Sequence, residues 1–82
     1  MQWISVKDAV PPDNRIVLIL YKITDHHYPP DISIGCRVVY KNGKIKWKYL
    51  NPCGTGILCE EGKKCFHTLL CWQPLPKPPE GE

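Results

Sequence analysis

No stretch of the chain approaches the roughly 20 consecutive apolar residues that a bilayer span needs. The opening Met1-Gln2-Trp3-Ile4-Ser5-Val6-Lys7 also lacks the basic-then-apolar build of a secretory leader. The expectation is a cytoplasmic protein. Charge of one sign is scarce as well: eleven Lys and Arg against eight Asp and Glu leave a net charge of +3, too little in itself to mark a nucleic-acid binder. No Ser-His-Asp, P-loop or paired-carboxylate pattern occurs, and the adjacent pair Glu60-Glu61 falls in a turn-forming stretch. There is no internal repeat. A chain of 82 residues has no room for two hydrophobic cores, which excludes most enzyme architectures. These absences point to one small, non-enzymatic domain.

What the chain has in quantity is turn formers and cysteine: nine prolines, six glycines and five cysteines. A core of this size supplies roughly 3–5 kcal/mol, so an added staple is expected. Val10-Pro11-Pro12-Asp13-Asn14 breaks any helix begun at Ser5 or Lys7 and leaves at most one short turn there. Ile16-Val17-Leu18-Ile19-Leu20-Tyr21, within Arg15 to Lys22, is apolar without alternation, as in a central strand covered on both faces. Asp25-His26-His27-Tyr28-Pro29-Pro30 reads as a loop whose double proline prevents pairing, and its two histidines read as solvated. A last strand is expected from His67 to Gln73, followed by an extended proline-rich tail over 74–82.

Asn42-Gly43 is the dipeptide of a two-residue type I′ hairpin. That turn pairs Lys41 with Lys44, Tyr40 with Ile45, Val39 with Lys46, Val38 with Trp47, Arg37 with Lys48 and Cys36 with Tyr49. One face then carries Cys36, Val38, Tyr40, Ile45, Trp47 and Tyr49. The other carries Arg37, Lys41, Lys44, Lys46 and Lys48 with Val39, a basic surface that is either simply solvated or awaits an acidic partner. The aromatic residues fall on the opposite side from the lysines in this register, which argues against base stacking. The expected fold is mainly β, with a small α+β fold as the variant: a single antiparallel sheet of about four strands with a zinc-braced loop. Its core spans about residues 3–73 of the single domain 1–82 and takes in Trp3, Trp47 and Trp72.

Cys53, Cys59, Cys65, His67 and Cys71 place five soft or borderline donors close together. In a reducing compartment such a cluster favours a metal over disulfides. A structural zinc ion takes four of them in a closed tetrahedron. Cys53, Cys59, Cys65 and His67 are the preferred set, with Cys71 in reserve and Cys36 an inert core thiol. The stretches Asn51 to Gly56 and Glu60 to Lys64 are the flexible loops that would wrap the ion. Free buried thiols, or a Cys59–Cys65 disulfide, are the alternatives.

Trp3-Ile4-Ser5-Val6, Pro11-Pro12 and the closing Cys71-Trp72-Gln73-Pro74-Leu75-Pro76-Lys77-Pro78-Pro79 together resemble a phage and prophage family of small domains of unknown function. In that family a histidine stands where this chain has Cys71, and the stretch from Pro52 to Phe66 looks like an insertion. The resemblance implies a protein that acts inside the host bacterial cell by binding host machinery. It implies an anti-CRISPR inhibitor that contacts a type II CRISPR effector nuclease, with Arg37, Lys41, Lys44, Lys46 and Lys48 as the contact surface. The alternative is a nucleic-acid-binding accessory protein using the same basic face.

Overall fold

A computed structural model describes residues 2–75; the proline-rich tail expected over 74–82 lies mostly outside the described residues. Those residues form an all-β domain without a helix. The strands are β1 (Ile4–Ser5), β2 (Val17–Ile23), β3 (Asp31–Val39), β4 (Ile45–Asn51), β5 (Gly54–Glu60) and β6 (His67–Pro74). They build one antiparallel sheet in the order β1-β6-β2-β3-β4-β5, so there are six strands where about four were expected.

The apolar run from Ile16 to Tyr21 does give a central strand, with β3 on one side and β6 on the other. It is covered on one face only. Val17 and Ile19 are fully buried, whereas Ile16 is 47% exposed. The buried cluster on the inner face comprises Val17, Ile19, Trp47, Leu58 and Trp72. Both buried indoles satisfy their N–H: Trp47 Nε1 donates to Glu61 Oε2 at 2.8 Å and Trp72 Nε1 to the Ala9 carbonyl at 3.0 Å. That leaves no polar atom stranded beside the apolar rings. Trp3 is half-buried and lies outside this cluster, so two of the three tryptophans form the core. The sheet curls about it until β5 and β6, three strands apart in sheet order, meet at the His67 Nδ1 and Leu58 carbonyl contact of 3.2 Å.

The two extra strands have simple causes. β1 is a two-residue patch on the edge of β6, with Ile4 opposite Trp72. It ends in a turn where the Asp8 and Ala9 amides both donate to the Ser5 carbonyl. β5 occupies part of the stretch read as a flexible metal-binding loop. Thr55, Ile57, Leu58 and Cys59 are strand formers, and a bulge opposite Trp47 and Lys48 lets Leu58 enter the core.

The hairpin register also differs from the sequence expectation by one residue. Val39 pairs with Ile45, Val38 with Lys46, Arg37 with Trp47, Cys36 with Lys48 and Gly35 with Tyr49. The Gly43 amide donates to the Tyr40 carbonyl at 3.0 Å and the Tyr40 amide to the Lys44 carbonyl at 2.8 Å. Only Gly43 of the dipeptide has positive φ, 87°. A type I′ turn needs positive φ at both central residues; a three-residue loop with a glycine bulge needs it once. Lys41-Asn42-Gly43 adopts the latter.

The register brings Tyr49 between two glycines, Gly35 on β3 and Gly56 on β5. A Cβ at Gly56 would collide with the Tyr49 ring, and one at Gly35 would collide with the Lys48 carbonyl and press on Ile19. Gly43 has open space around it. Gly35→Ala is expected to destabilise by about 1–3 kcal/mol through overpacking, and Gly43→Ala by about 1 kcal/mol through backbone strain alone. Denaturant unfolding of the two variants checks that order.

Candidate functional site

Two surfaces carry chemistry, one on each face of the sheet. On the inner face, a cleft of about 450 Å³ opens between the ends of β5 and β6, bounded by Trp47, Cys59, Glu61, Cys65, His67 and Thr68 among others. Its rim is held by a bidentate ion pair in which Arg37 Nε donates to Glu61 Oε2 at 2.7 Å and Arg37 Nη2 to Glu61 Oε1 at 3.2 Å. The Trp47 indole donates to the same carboxylate. The Arg37 hydrogen bond, aided by that of Trp47, holds the Glu61 carboxyl below its ordinary value against the opposing effect of burial. The one-residue slip therefore turns Arg37 inward, away from the lysines it was expected to join.

Cys59, Cys65 and His67 all border this cleft. Cys65 Sγ accepts from the Glu60 amide at 3.2 Å and lies 3.3 Å from both the Glu60 and the Lys63 carbonyls. Burial first, then its interaction with Cys65 as the acceptor, pushes the Cys59 thiol up to about 12. Cys53 sits in the exposed β4–β5 turn, its amide bonded to Asn51 Oδ1 at 2.9 Å. Six residues of extended strand, roughly 20 Å, separate it from Cys59. Cys71 pairs with Leu20 and faces the other side of the sheet. The fold thus brings Cys59, Cys65 and His67 to one cleft and leaves Cys53 and the reserve Cys71 away from it. Among the described residues no group of three or more His, Cys, Asp or Glu side chains is arranged to hold a metal ion.

On the outer face the same slip creates a surface not foreseen from the sequence. Ile32, Ile34, Cys36 and Val38 alternate along β3, with Tyr40 just beyond it, on the side away from the Trp47 cluster, where Cys36 is buried and its neighbours are partly exposed. Ile32 is 53%, Ile34 45% and Ile57 54% exposed. Lys44, Lys46 and Lys48 follow one another along the same side of β4. Ile16, Cys36, Val38, Tyr40, Lys48 and Leu50 border a shallow groove of about 360 Å³ there. Both Lys46 Nζ and Lys48 Nζ stand 5.5 Å from the centre of the Tyr40 ring, and a hydrogen bond to Tyr40 raises the Lys48 pKa. Lys46 reaches Glu60 at 3.8 Å; among the described residues Lys44 and Lys48 form no ion pair. His26 stacks on Tyr28, with ring centres 5.5 Å apart, in an exposed loop, and shares a surface hollow with Lys64 and Cys65 at the edge of the inner cleft.

A family model described as "Protein of unknown function (DUF551)" matches residues 2–80. The chain belongs to the DUF551 family. No curated protein and no solved structure matches it significantly. Membership explains the shared framework from Trp3 to the proline-rich end and leaves the two surfaces to be read from their own chemistry.

The Arg37–Glu61–Trp47 network generates a stability prediction with a defined pH window. A carboxyl whose folded pKa is depressed stabilises the fold above its ordinary value of 4.5 and loses that contribution as the pH falls through the lower folded value. Glu61→Gln is expected to destabilise at neutral pH by about 1–2 kcal/mol, discounted because the carboxylate remains 36% exposed. The variant and the parent should converge in acid. Urea unfolding at neutral pH and at pH about 3 checks both statements.

Proposed function

We propose that the chain is a binding protein that docks through its outer sheet face onto a large host protein. A component of a bacterial defence system, the type II CRISPR effector nuclease, is the target to which the phage-type resemblance points. The observation that carries the reading is an uncovered apolar sheet face bordered by lysines. Exposed Ile16 and Ile57 lie beside Lys48 and exposed Ile32 and Ile34 continue the same side of β3, while Lys44 and Lys48 lack carboxylate partners among the described residues. Contiguous apolar surface of this kind, rimmed by polar residues, marks interaction sites. An acidic rim on the partner would relieve the repulsion along the lysine row and speed encounter. Arg37 takes no part, since it belongs to the inner network.

A second reading rests on Tyr40. Its ring shares the face with Lys46 and Lys48, so an aromatic platform beside cations is available to a nucleic-acid strand after all. The two readings differ in their salt response. Direct phosphate binding through these lysines would lose roughly tenfold or more in affinity between about 50 and 200 mM salt.

The deciding experiment is co-purification with the effector followed by a DNA-cleavage assay at molar excess of this protein. The expected outcome is a stoichiometric complex with lost cleavage. Ile32→Glu with Ile34→Glu, and separately Lys44, Lys46 and Lys48 all changed to Glu, should each abolish both effects while the fold melts normally. An effector that neither binds nor loses activity removes the target. Complex formation that survives both variants removes the outer face. Salt-sensitive DNA binding by the isolated chain establishes the second reading.

A further inference from the structure

The docking surface leaves the inner cleft and its two thiols unused. Cys65 returns to the end of β5 through the turn Glu60 to Lys64. That turn is pinned by the Glu61 amide on the Ile45 carbonyl at 2.8 Å and the Lys63 amide on the Glu60 carbonyl at 3.2 Å. The return places Cys65 Sγ 3.2 Å from the Glu60 amide, the peptide nitrogen directly following Cys59, and both cysteines line the same cleft. The sulfurs are therefore neighbours without any movement of the sheet, yet both are free thiols.

The surroundings suit a small anionic ligand. Val6, Val10 and Trp47 give the cleft an apolar wall, while Lys64 stands at its mouth beside Cys65 and Lys63 is paired with Glu60 at 3.0 Å. The one carboxylate that faces inward, Glu61, is already engaged by Arg37 and Trp47. The Glu60 amide and the Glu60 and Lys63 carbonyls hold the Cys65 sulfur at the cleft, where Lys64 offers a cation to an anionic ligand. An adjacent thiol is what resolves a mixed disulfide.

We propose that Cys65 and Cys59 form a dithiol redox site that reduces a low-molecular-weight anionic disulfide of the glutathione type. Cys65, having given its proton to water, attacks one sulfur of the ligand. The ligand's S–S bond breaks, the first thiolate leaves and takes a proton from water, and Cys65 holds the other half as a mixed disulfide. Cys59 then loses its proton to water and attacks the Cys65 sulfur, expelling the second thiolate, which is protonated in turn. Two protein thiols are oxidised to one internal disulfide and one ligand disulfide is reduced to two thiols.

The test uses the full chain, purified under reducing conditions, freed of reductant and incubated with glutathione disulfide. It is read by intact mass, peptide mapping and elemental analysis. The parent protein should show a Cys59–Cys65 cross-link with the loss of two hydrogens, exposed Cys53 serving as the control that keeps a glutathionyl adduct. Cys59→Ser should trap the adduct on Cys65, and Cys65→Ser should leave Cys59 unmodified. The proposal is overturned if Cys53 reacts while Cys59 and Cys65 stay reduced, or if the parent keeps a stable adduct on Cys65 without closing. It is equally overturned if one equivalent of zinc protects the pair and Cys65→Ser releases it. The parent measurement decides the matter even where a variant fails to fold.

Discussion

The Tyr49 ring lies where a Cβ on Gly56 would stand, and Gly35, on the strand at the other side of β4, lets β3 approach the Lys48 backbone. A Cβ on Gly56 would stand inside the phenol ring, so β5 has a single acceptable position against β4. On the β3 side Gly35 comes up against the Lys48 backbone and Ile19, which holds that strand close as well. The three strands lock together around one aromatic side chain. The loop Lys41-Asn42-Gly43 closes at the length that this pairing requires, and the positive φ of Gly43 alone supplies the turn.

Once the pairing is set, the division of labour between the faces follows, because a side chain on a strand has only two directions available. Arg37 moves inward and finds Glu61 and Trp47. The ion pair then closes the rim of the cleft that contains the two thiols. Cys36, Val38 and Tyr40 move outward to join Ile32 and Ile34, and the lysines of β4 fall beside them. A one-residue slip in the opposite sense would leave Arg37 among the lysines and bury Val38 against Trp47. The candidate interaction surface and the candidate redox site are two consequences of a single register.

Much of this was readable in the residues themselves. The central strand, the hairpin at Asn42-Gly43, the last strand from His67 and the single short turn after Ser5 all follow from local composition. The period of two along β3 was equally plain, with apolar residues at 32, 34, 36, 38 and 40. Periodicity reports a stripe and not the side on which the core lies. β3 directs its apolar stripe outward while β4 directs Ile45, Trp47 and Tyr49 inward. β5 escaped notice because its glycines read as loop; Gly56 admits Tyr49 and Gly54 takes a positive φ of 136°. The expected zinc set gathered cysteines by closeness in sequence, whereas the extended β5 sets Cys53 and Cys59 near its two ends.

The β3–β4 register is tested most directly by proton–proton contacts in solution, measured by nuclear Overhauser spectroscopy on the full chain. Cross-strand backbone contacts should pair Trp47 with Arg37 and Lys46 with Val38, and the Tyr49 ring should touch the α protons of Gly56 and its partner strand at Gly35. Backbone contacts pairing Trp47 with Val38 and Tyr49 with Cys36 would contradict the account, because they return Arg37 to the lysine face and Val38 to the core.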